Sequence, residues 1–413
     1  ARDRQCIDFK NTLPKKYKQV VIENWETPNK NKKIKIFFYY TNFKENKTPI
    51  LFLNGGPGRS SFYSYELLKE EIEKRNLPIV FVDQRGTGCS SLYPEASSAE
   101  NLLRLQHYGS TEIVDDLEIF RKKYLKNKKW ILFGQSYGGM IAYRYLEKYP
   151  NSLESIVVHG ASLLPVHQNS WIDRLRSQIR VAQEYFKKYP QDENHWNDVR
   201  SRISKTNCFS DKETKICGPG VLDSAVILSG FQNQWPTLHE WIQQLYLTRG
   251  KQFDLLLKQF VQEVFFKSYL GPGASFASLV EWLENPNAAQ EDECTVAQKT
   301  LQSENLKPEN LALNECRIFT QFEQKYFAFL KNVTLNFTPF DISKIKLSLN
   351  KNKKIMLYVF GSENDNFVSK DSYGEQKKIF GDQMELEILS KVGHEAFYKT
   401  PKVFDLLEQL LTE

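Results

Sequence analysis

Residues Trp130 to Met140 read Trp-Ile-Leu-Phe-Gly-Gln-Ser-Tyr-Gly-Gly-Met. An apolar run leads into a Gly134-x-Ser136-x-Gly138 bend, and an amphipathic stretch follows. That spacing suits a nucleophilic serine. A sharp strand-to-helix turn holds such a residue in a strained backbone conformation with its hydroxyl exposed, and small residues two positions to either side let the turn close without collision. The helix beyond it points its N-terminus at the hydroxyl and favours negative charge there. A bare GxSxG in a long chain is a weak signal. The strand and helix patterns on its two sides make Ser136 the candidate nucleophile of an acyl-transfer reaction.

A serine nucleophile needs a base, an acid behind the base, and donors for the oxyanion. Of six histidines, only His394 sits in a Gly-His turn after a late apolar run, in Val392-Gly393-His394-Glu395. His107, His167, His195 and His239 lack that context. His159 ends a strand run and could face a cleft, but it comes too early for the chain order serine, acid, histidine. The acid should follow the preceding strand, where Ile355–Phe360 leads into Gly361-Ser362-Glu363-Asn364-Asp365. Asp365 is the expected acid and Glu363 the alternative; its task is to hold the imidazole tautomer and stabilise the imidazolium. After the short run Ile50–Leu53 comes Asn54-Gly55-Gly56-Pro57-Gly58. Such a turn can aim a backbone N–H at a developing oxyanion. Gly56 is the expected first donor, with Gly55 the alternative, and the N–H of Tyr137 the second. In Asp83-Gln84-Arg85-Gly86-Thr87-Gly88, Arg85 is expected to brace the Gly55–Gly58 loop through its carbonyls. Neither glycine cluster ends in the Gly-Lys-Ser/Thr that grips a phosphate.

These residues need a scaffold that brings loop ends together. Lys35–Thr41, Ile50–Leu53, Ile79–Val82, Trp130–Phe133 and Ser155–His159 read as strands. The short, continuously apolar ones suit strands buried on both faces of a largely parallel sheet. Amphipathic stretches at Glu112–Tyr124 and Met140–Lys148 alternate with them, which argues for an α/β fold. From about 166 to 345 the texture turns helical, with examples at Ile172–Tyr189, Thr237–Leu247 and Phe253–Phe266. Strands return at Ile355–Phe360 and Met384–Leu389, and a last amphipathic helix spans Pro401–Leu411. The expected organisation is a core over 1–165, a helical cap over 166–345 and the rest of the core over 346–413. The cap would lie over the carboxyl edge of the sheet, where open α/β sheets bind ligands.

Composition narrows the alternatives. The 413 residues are 41% hydrophobic and 26% charged, which is globular rather than disordered composition. A net charge of +6 and a pI near 8.7 come from dispersed lysines and arginines. The runs Lys30–Lys35 and Lys351–Lys354 read as solvated loops, so no nucleic-acid partner is expected. No apolar run is long enough to span a bilayer. Six cysteines fit disulfides and an oxidising compartment, with Cys208–Cys217 and then Cys294–Cys316 the nearest local pairs. The chain opens on Ala1 rather than Met, which a removed leader or a shortened chain would each explain. A secreted or periplasmic enzyme is therefore expected. No cysteine or histidine cluster has zinc-site spacing, and the proposed chemistry needs no cofactor or metal. Oligomeric state is left open.

Together the motifs resemble those of the prolyl aminopeptidase (proline iminopeptidase) family and its tripeptidyl-aminopeptidase relatives, which are serine peptidases of the α/β-hydrolase fold. The Gly-Gly-Pro-Gly loop at Gly55–Gly58, the Asp-x-Arg-Gly-x-Gly turn at Asp83–Gly88 and the Gly-Gln-Ser-x-Gly-Gly bend at Gly134–Gly139 appear in the family's order, and a late acid and histidine follow. The resemblance implies hydrolysis of a peptide with a free N-terminus, releasing proline or short peptides, through an acyl-enzyme. It further implies glutamates in a helical cap that bind the substrate's ammonium. Glu323, in Glu323-Gln324-Lys325-Tyr326-Phe327, matches one such motif, and Glu284 is offered as a second. Asn54 stands where many prolyl aminopeptidases have histidine, and the longer, cysteine-bearing insert is more like the exported tripeptidyl relatives; both weigh against strict proline specificity. An esterase or lipase with the same three residues is the alternative enzyme, and a non-catalytic binding protein the alternative of another class.

Overall fold

The computed structural model describes residues 21–26, 33–42, 46–56, 58–91, 103–163, 170–210, 215–266 and 338–412. Its centre is an eight-stranded sheet in the order β1-β2-β4-β3-β5-β6-β9-β10. The strands are β1 (Val21–Glu26), β2 (Lys33–Tyr40), β3 (Ile50–Leu53), β4 (Ile79–Asp83), β5 (Trp130–Gln135), β6 (Leu153–His159), β9 (Leu357–Ser362) and β10 (Met384–Leu389). From β4 to β10 every neighbouring pair is parallel, while β1 and β2 add an antiparallel edge.

Successive side chains on these strands serve two separate cores. Leu51, Leu53, Val82, Leu132, Ile156 and Val158 face one layer, formed by α2 (Ser110–Tyr124), α3 (Tyr137–Lys148), α9 (Ile342–Lys351) and α10 (Lys370–Phe380). Ile50, Phe52, Phe81, Ile131, Phe133 and Val157 face the other, formed by α1 (Ser61–Arg75) and α11 (Pro401–Leu410). A strand covered on both faces has no polar side to show, which is why these segments read as unbroken apolar runs. The α1 boundaries are set locally. The Ser60 hydroxyl accepts the Phe62 N–H at 3.2 Å, Lys74 and Arg75 occupy the last turn, and Asn76 ends the helix in the left-handed conformation at φ 53°.

Between β6 and β9 the described chain is mostly helical, with α4 (Ser170–Lys188), α5 (Asp192–Ser201), α6 (Val226–Gly230), α7 (Trp235–Leu247) and α8 (Gly250–Phe260), then a π-helical turn over Val261–Phe266. Tyr185, Trp196, Leu222, Trp235, Leu238, Phe253 and Phe260 bury together in a third core of their own. A small hairpin, β7 (Cys208–Ser210) with β8 (Lys215–Cys217), interrupts the helices. Cys208 and Cys217 face each other across it and are disulfide-bonded. Cys89 is disulfide-bonded as well; the Cys294–Cys316 pairing concerns residues outside those described. Among the described residues no helix is long and apolar enough to cross a membrane.

Candidate active site

Six parallel strands end at one edge of the sheet, and Gly56, Ser136, Asp365 and His394 lie just past the ends of β3, β5, β9 and β10. Ser136 follows β5 at φ 53°, ψ −126°, a conformation that an L-residue rarely adopts. Its N–H donates to the His159 carbonyl at 2.8 Å, and its own carbonyl accepts the Gly139 N–H at 2.8 Å as α3 begins. The turn closes onto β3: a Cβ on Gly138 would collide with the Leu53 carbonyl, and one on Gly55 would stand 2.7 Å from the Ser136 Cβ. The bend therefore brings the Gly55–Gly56 backbone alongside the serine, with Gly56 at φ 126° and Tyr137 opening the helix.

His394 and Asp365 form a bonded pair. His394 Nδ1 lies 2.7 Å from Asp365 Oδ2, and both residues are buried. Asp365 Oδ1 accepts the N–H groups of Phe367 at 2.8 Å and Val368 at 3.0 Å. Burial alone would raise the Asp365 pKa, but the charge and hydrogen bond of His394, joined by those two amides, outweigh it and hold the carboxyl below its ordinary value of 3.8. Glu363, the alternative acid, is turned away. It accepts from Ser390 Oγ and Lys391 N, both at 2.9 Å, and fixes the turn after β10.

The His394 ring lies against Gly160, whose missing Cβ would stand 3.0 Å from Cε1. Because Ser136 N–H bonds to His159 and the ring covers Gly160, the same two residues at the end of β6 seat both the hydroxyl and the imidazole. The acid comes from the next strand, β9.

The loops are braced differently from the expectation placed on Arg85. That guanidinium points away from the glycines and forms a buried two-pronged pair with Asp116, at 2.7 and 2.6 Å, with a third bond to the His107 carbonyl at 2.7 Å. The support comes from its neighbour Gln84, whose Nε2 donates to the Asn54 carbonyl at 3.0 Å, and from Asn54 Nδ2, which donates to the Arg59 carbonyl at 2.6 Å. Asp83 organises the turn itself, accepting from the Ser61 N–H at 2.7 Å and the Cys89 N–H at 2.8 Å. Arg59 pairs with Glu395 at 3.2 Å and so ties the glycine loop to the residue after His394. The Asp-x-Arg spelling marks the turn but does not say which of its side chains points inward.

His159 is fully buried. Nε2 lies 3.1 Å from Ser362 Oγ, while Nδ1 finds no partner among the described residues. Burial, and then the nearby His394, push its pKa from 6.5 down to about 3 against the opposing pull of Asp365. The unfolded chain takes up this proton at a pH where the folded chain refuses it. Stability tied to His159 is thus fully present above 6.5 and is lost as pH falls below it. Urea unfolding should show a loss of about 2–3 kcal/mol between pH 7 and about pH 4.5 from this group, and His159→Gln should flatten that slope. An equal slope in the variant would assign the loss to other groups.

Glu323 and Glu284, the expected ammonium ligands, lie outside the described residues.

The profile of the alpha/beta hydrolase fold family matches residues 48–207. A proline iminopeptidase of Aspergillus aculeatus is 31% identical over 158 residues, which is 35% of this chain and 35% of the relative. The proline iminopeptidase of Neisseria gonorrhoeae is 27% identical over 157 residues, 36% of this chain and 44% of the relative. The chain thus spans under half the length of these curated relatives. Among solved structures, an α/β hydrolase from a deep-sea metagenome library aligns over 93% of this chain and 96% of its own at 16% identity and a TM-score of 0.47. A proline iminopeptidase-related protein of Thermus thermophilus aligns over 95% and 98% at 14% identity and a TM-score of 0.41. By its sheet, by the bend that carries Ser136 and by the match over residues 48–207, this chain has the α/β-hydrolase fold, and over that stretch its sequence is similar to proline iminopeptidases.

Proposed function

We propose that this chain is a serine aminopeptidase that releases N-terminal residues, proline or short peptides, through an acyl-enzyme. Ser136 is the nucleophile, His394 the base and Asp365 the acid. The observation that carries the reading is the buried 2.7 Å bond between His394 Nδ1 and Asp365 Oδ2, with the imidazole against Gly160, the residue after the His159 whose carbonyl accepts the Ser136 N–H. In the proposed cycle, His394 takes the Ser136 proton through Nε2 as Oγ attacks the peptide carbonyl. The N–H groups of Gly56 and Tyr137 take the oxyanion. The imidazolium then gives its proton to the leaving amine, and water, activated by the same imidazole, releases the acid product.

The helical region over 166–345 acts in this reading as a cap between core segments 1–165 and 346–413. Glu323 and Glu284 are its proposed ligands for the substrate's free ammonium, because a carboxylate facing an ammonium in a partly dry pocket selects which peptide end enters. Kinship with proline iminopeptidases supports this choice of substrate. The disulfide Cys208–Cys217 supports a secreted or periplasmic location.

A panel of proline, alanine and tripeptide arylamides, each with a free and a blocked N-terminus, set beside nitrophenyl esters, tests the proposal. Free-amine arylamides should be cleaved, and blocking the amine should lower kcat/KM by about a hundredfold or more. Cleavage of esters alone, or indifference to the block, would replace the aminopeptidase with an esterase.

A further inference from the structure

The loops that carry Asp365 and His394 are fastened on one side to the sheet and on the other to the helical region. Glu363 donates its N–H to the Leu389 carbonyl of β10 at 2.9 Å, and Asn364 joins the two loops by donating to the Val392 carbonyl at 2.9 Å. The helical region holds them from the other side. Ser177, buried on α4, donates from its hydroxyl to the Asp365 carbonyl at 2.8 Å. One turn further along α4, Arg180 donates through Nη1 to the Glu363 carbonyl. At the end of α6 the Gly230 carbonyl accepts the His394 N–H at 3.0 Å, and Ser229 Oγ takes the Asn366 amide at 3.3 Å. Phe231 lies beside both loops, its ring centroid 6.2 Å from that of Phe367 and 6.4 Å from that of His394. The bend carrying Ser136 is held by β6 and by α3 instead.

The nucleophile therefore belongs mechanically to the sheet, while the imidazole and carboxylate are shared with the helices. We infer that Ser177 and Arg180 are positioning residues: by fixing the Asp365–Asn366 and Glu363–Asn364 peptide planes, they set how the Asp365–His394 pair is presented to Ser136. Neither side chain touches the reacting atoms. They act through backbone, so their loss misplaces a bonded pair without removing any charge that a substrate meets. The inference rests on the roles given above to Ser136, Asp365 and His394.

The test uses the full chain and nitrophenyl acetate, so it is independent of which peptide is preferred. Ser177→Ala should lower kcat by about tenfold with KM held within about twofold, the signature of misplaced reacting groups rather than weakened binding. Labelling of Ser136 by a fluorophosphonate should slow in parallel. Ser177→Thr, which keeps the hydroxyl, should recover most of both rates. Arg180→Lys keeps the charge but loses the planar fork, and should repeat the kcat-selective loss; it serves as well if Ser177→Ala fails to fold. A kcat within about twofold of the parent in the folded variants, or a loss confined to melting temperature and KM, overturns the inference. Ser136→Ala, run alongside, separates the two levels. Esterolysis that survives it sinks the nucleophile assignment, whereas esterolysis that needs Ser136 yet ignores Ser177 and Arg180 sinks only the positioning role.

Discussion

Ser136→Ala should yield a folded chain whose turnover is lower by on the order of a millionfold and which no longer reacts with a fluorophosphonate. In the proposed mechanism, removing the oxygen removes the attacking atom and leaves the imidazole nothing to deprotonate. The backbone at this position makes a second, opposite forecast about stability. At φ 53°, ψ −126°, residue 136 occupies a region where any Cβ is strained. Alanine keeps the Cβ and so keeps the strain, and its melting temperature should stay near that of the parent. Ser136→Gly sheds it and should gain about 1–2 kcal/mol in urea unfolding while being equally inactive. Gain of stability with loss of activity is what strain held at a working site predicts. An active alanine variant would dismiss Ser136 as nucleophile, and a glycine variant less stable than the parent would show that the bend stores no strain.

How much of this could be read from the chain alone depended on whether a residue's role is set by its neighbours in sequence or in space. The strands β3, β4 and β5 are legible because a parallel strand buried on both faces must be apolar throughout, and their predicted cores differ from the observed spans by at most two residues at an end. The Ser136 bend is legible for the same local reason, since the glycines that allow it sit within the motif. The edge strand β1, Val21-Ile-Glu-Asn-Trp-Glu, carries interspersed charge and gives no such run. The hairpin of β7 and β8 is three residues on each side and was visible only through its cysteines. Arg85 departs from its expected role because its partner, Asp116, lies on the buried face of a helix 31 residues away, where periodicity would place an apolar residue. Ser177 carries no signal at all: a serine inside an amphipathic helix is unremarkable until the carbonyl it meets is known to be that of Asp365.

Asp365→Asn should lower kcat by about ten-thousandfold at neutral pH, although it changes neither size nor shape. The reason lies in what the carboxylate's two oxygens do. Oδ1 accepts two backbone N–H groups, from Phe367 and Val368, and Oδ2 faces His394 Nδ1. An asparagine must keep its one oxygen toward the two amides, because its NH2 would otherwise confront two donors in a buried loop. Its NH2 then points at His394, and Nδ1 can face that donor only as an acceptor. The ring proton is forced onto Nε2, the atom that must receive the Ser136 proton, and the base is blocked by its own tautomer. Glu363→Gln is the matched control. Its carboxylate accepts from Ser390 and Lys391 on the surface and never faces the ring, so kcat should stay within about twofold of the parent. Ring-nitrogen chemical shifts of His394 in Asp365→Asn should report a protonated Nε2. A variant with normal kcat, or a Glu363→Gln variant as slow as Asp365→Asn, would move the acid's role from residue 365 to residue 363.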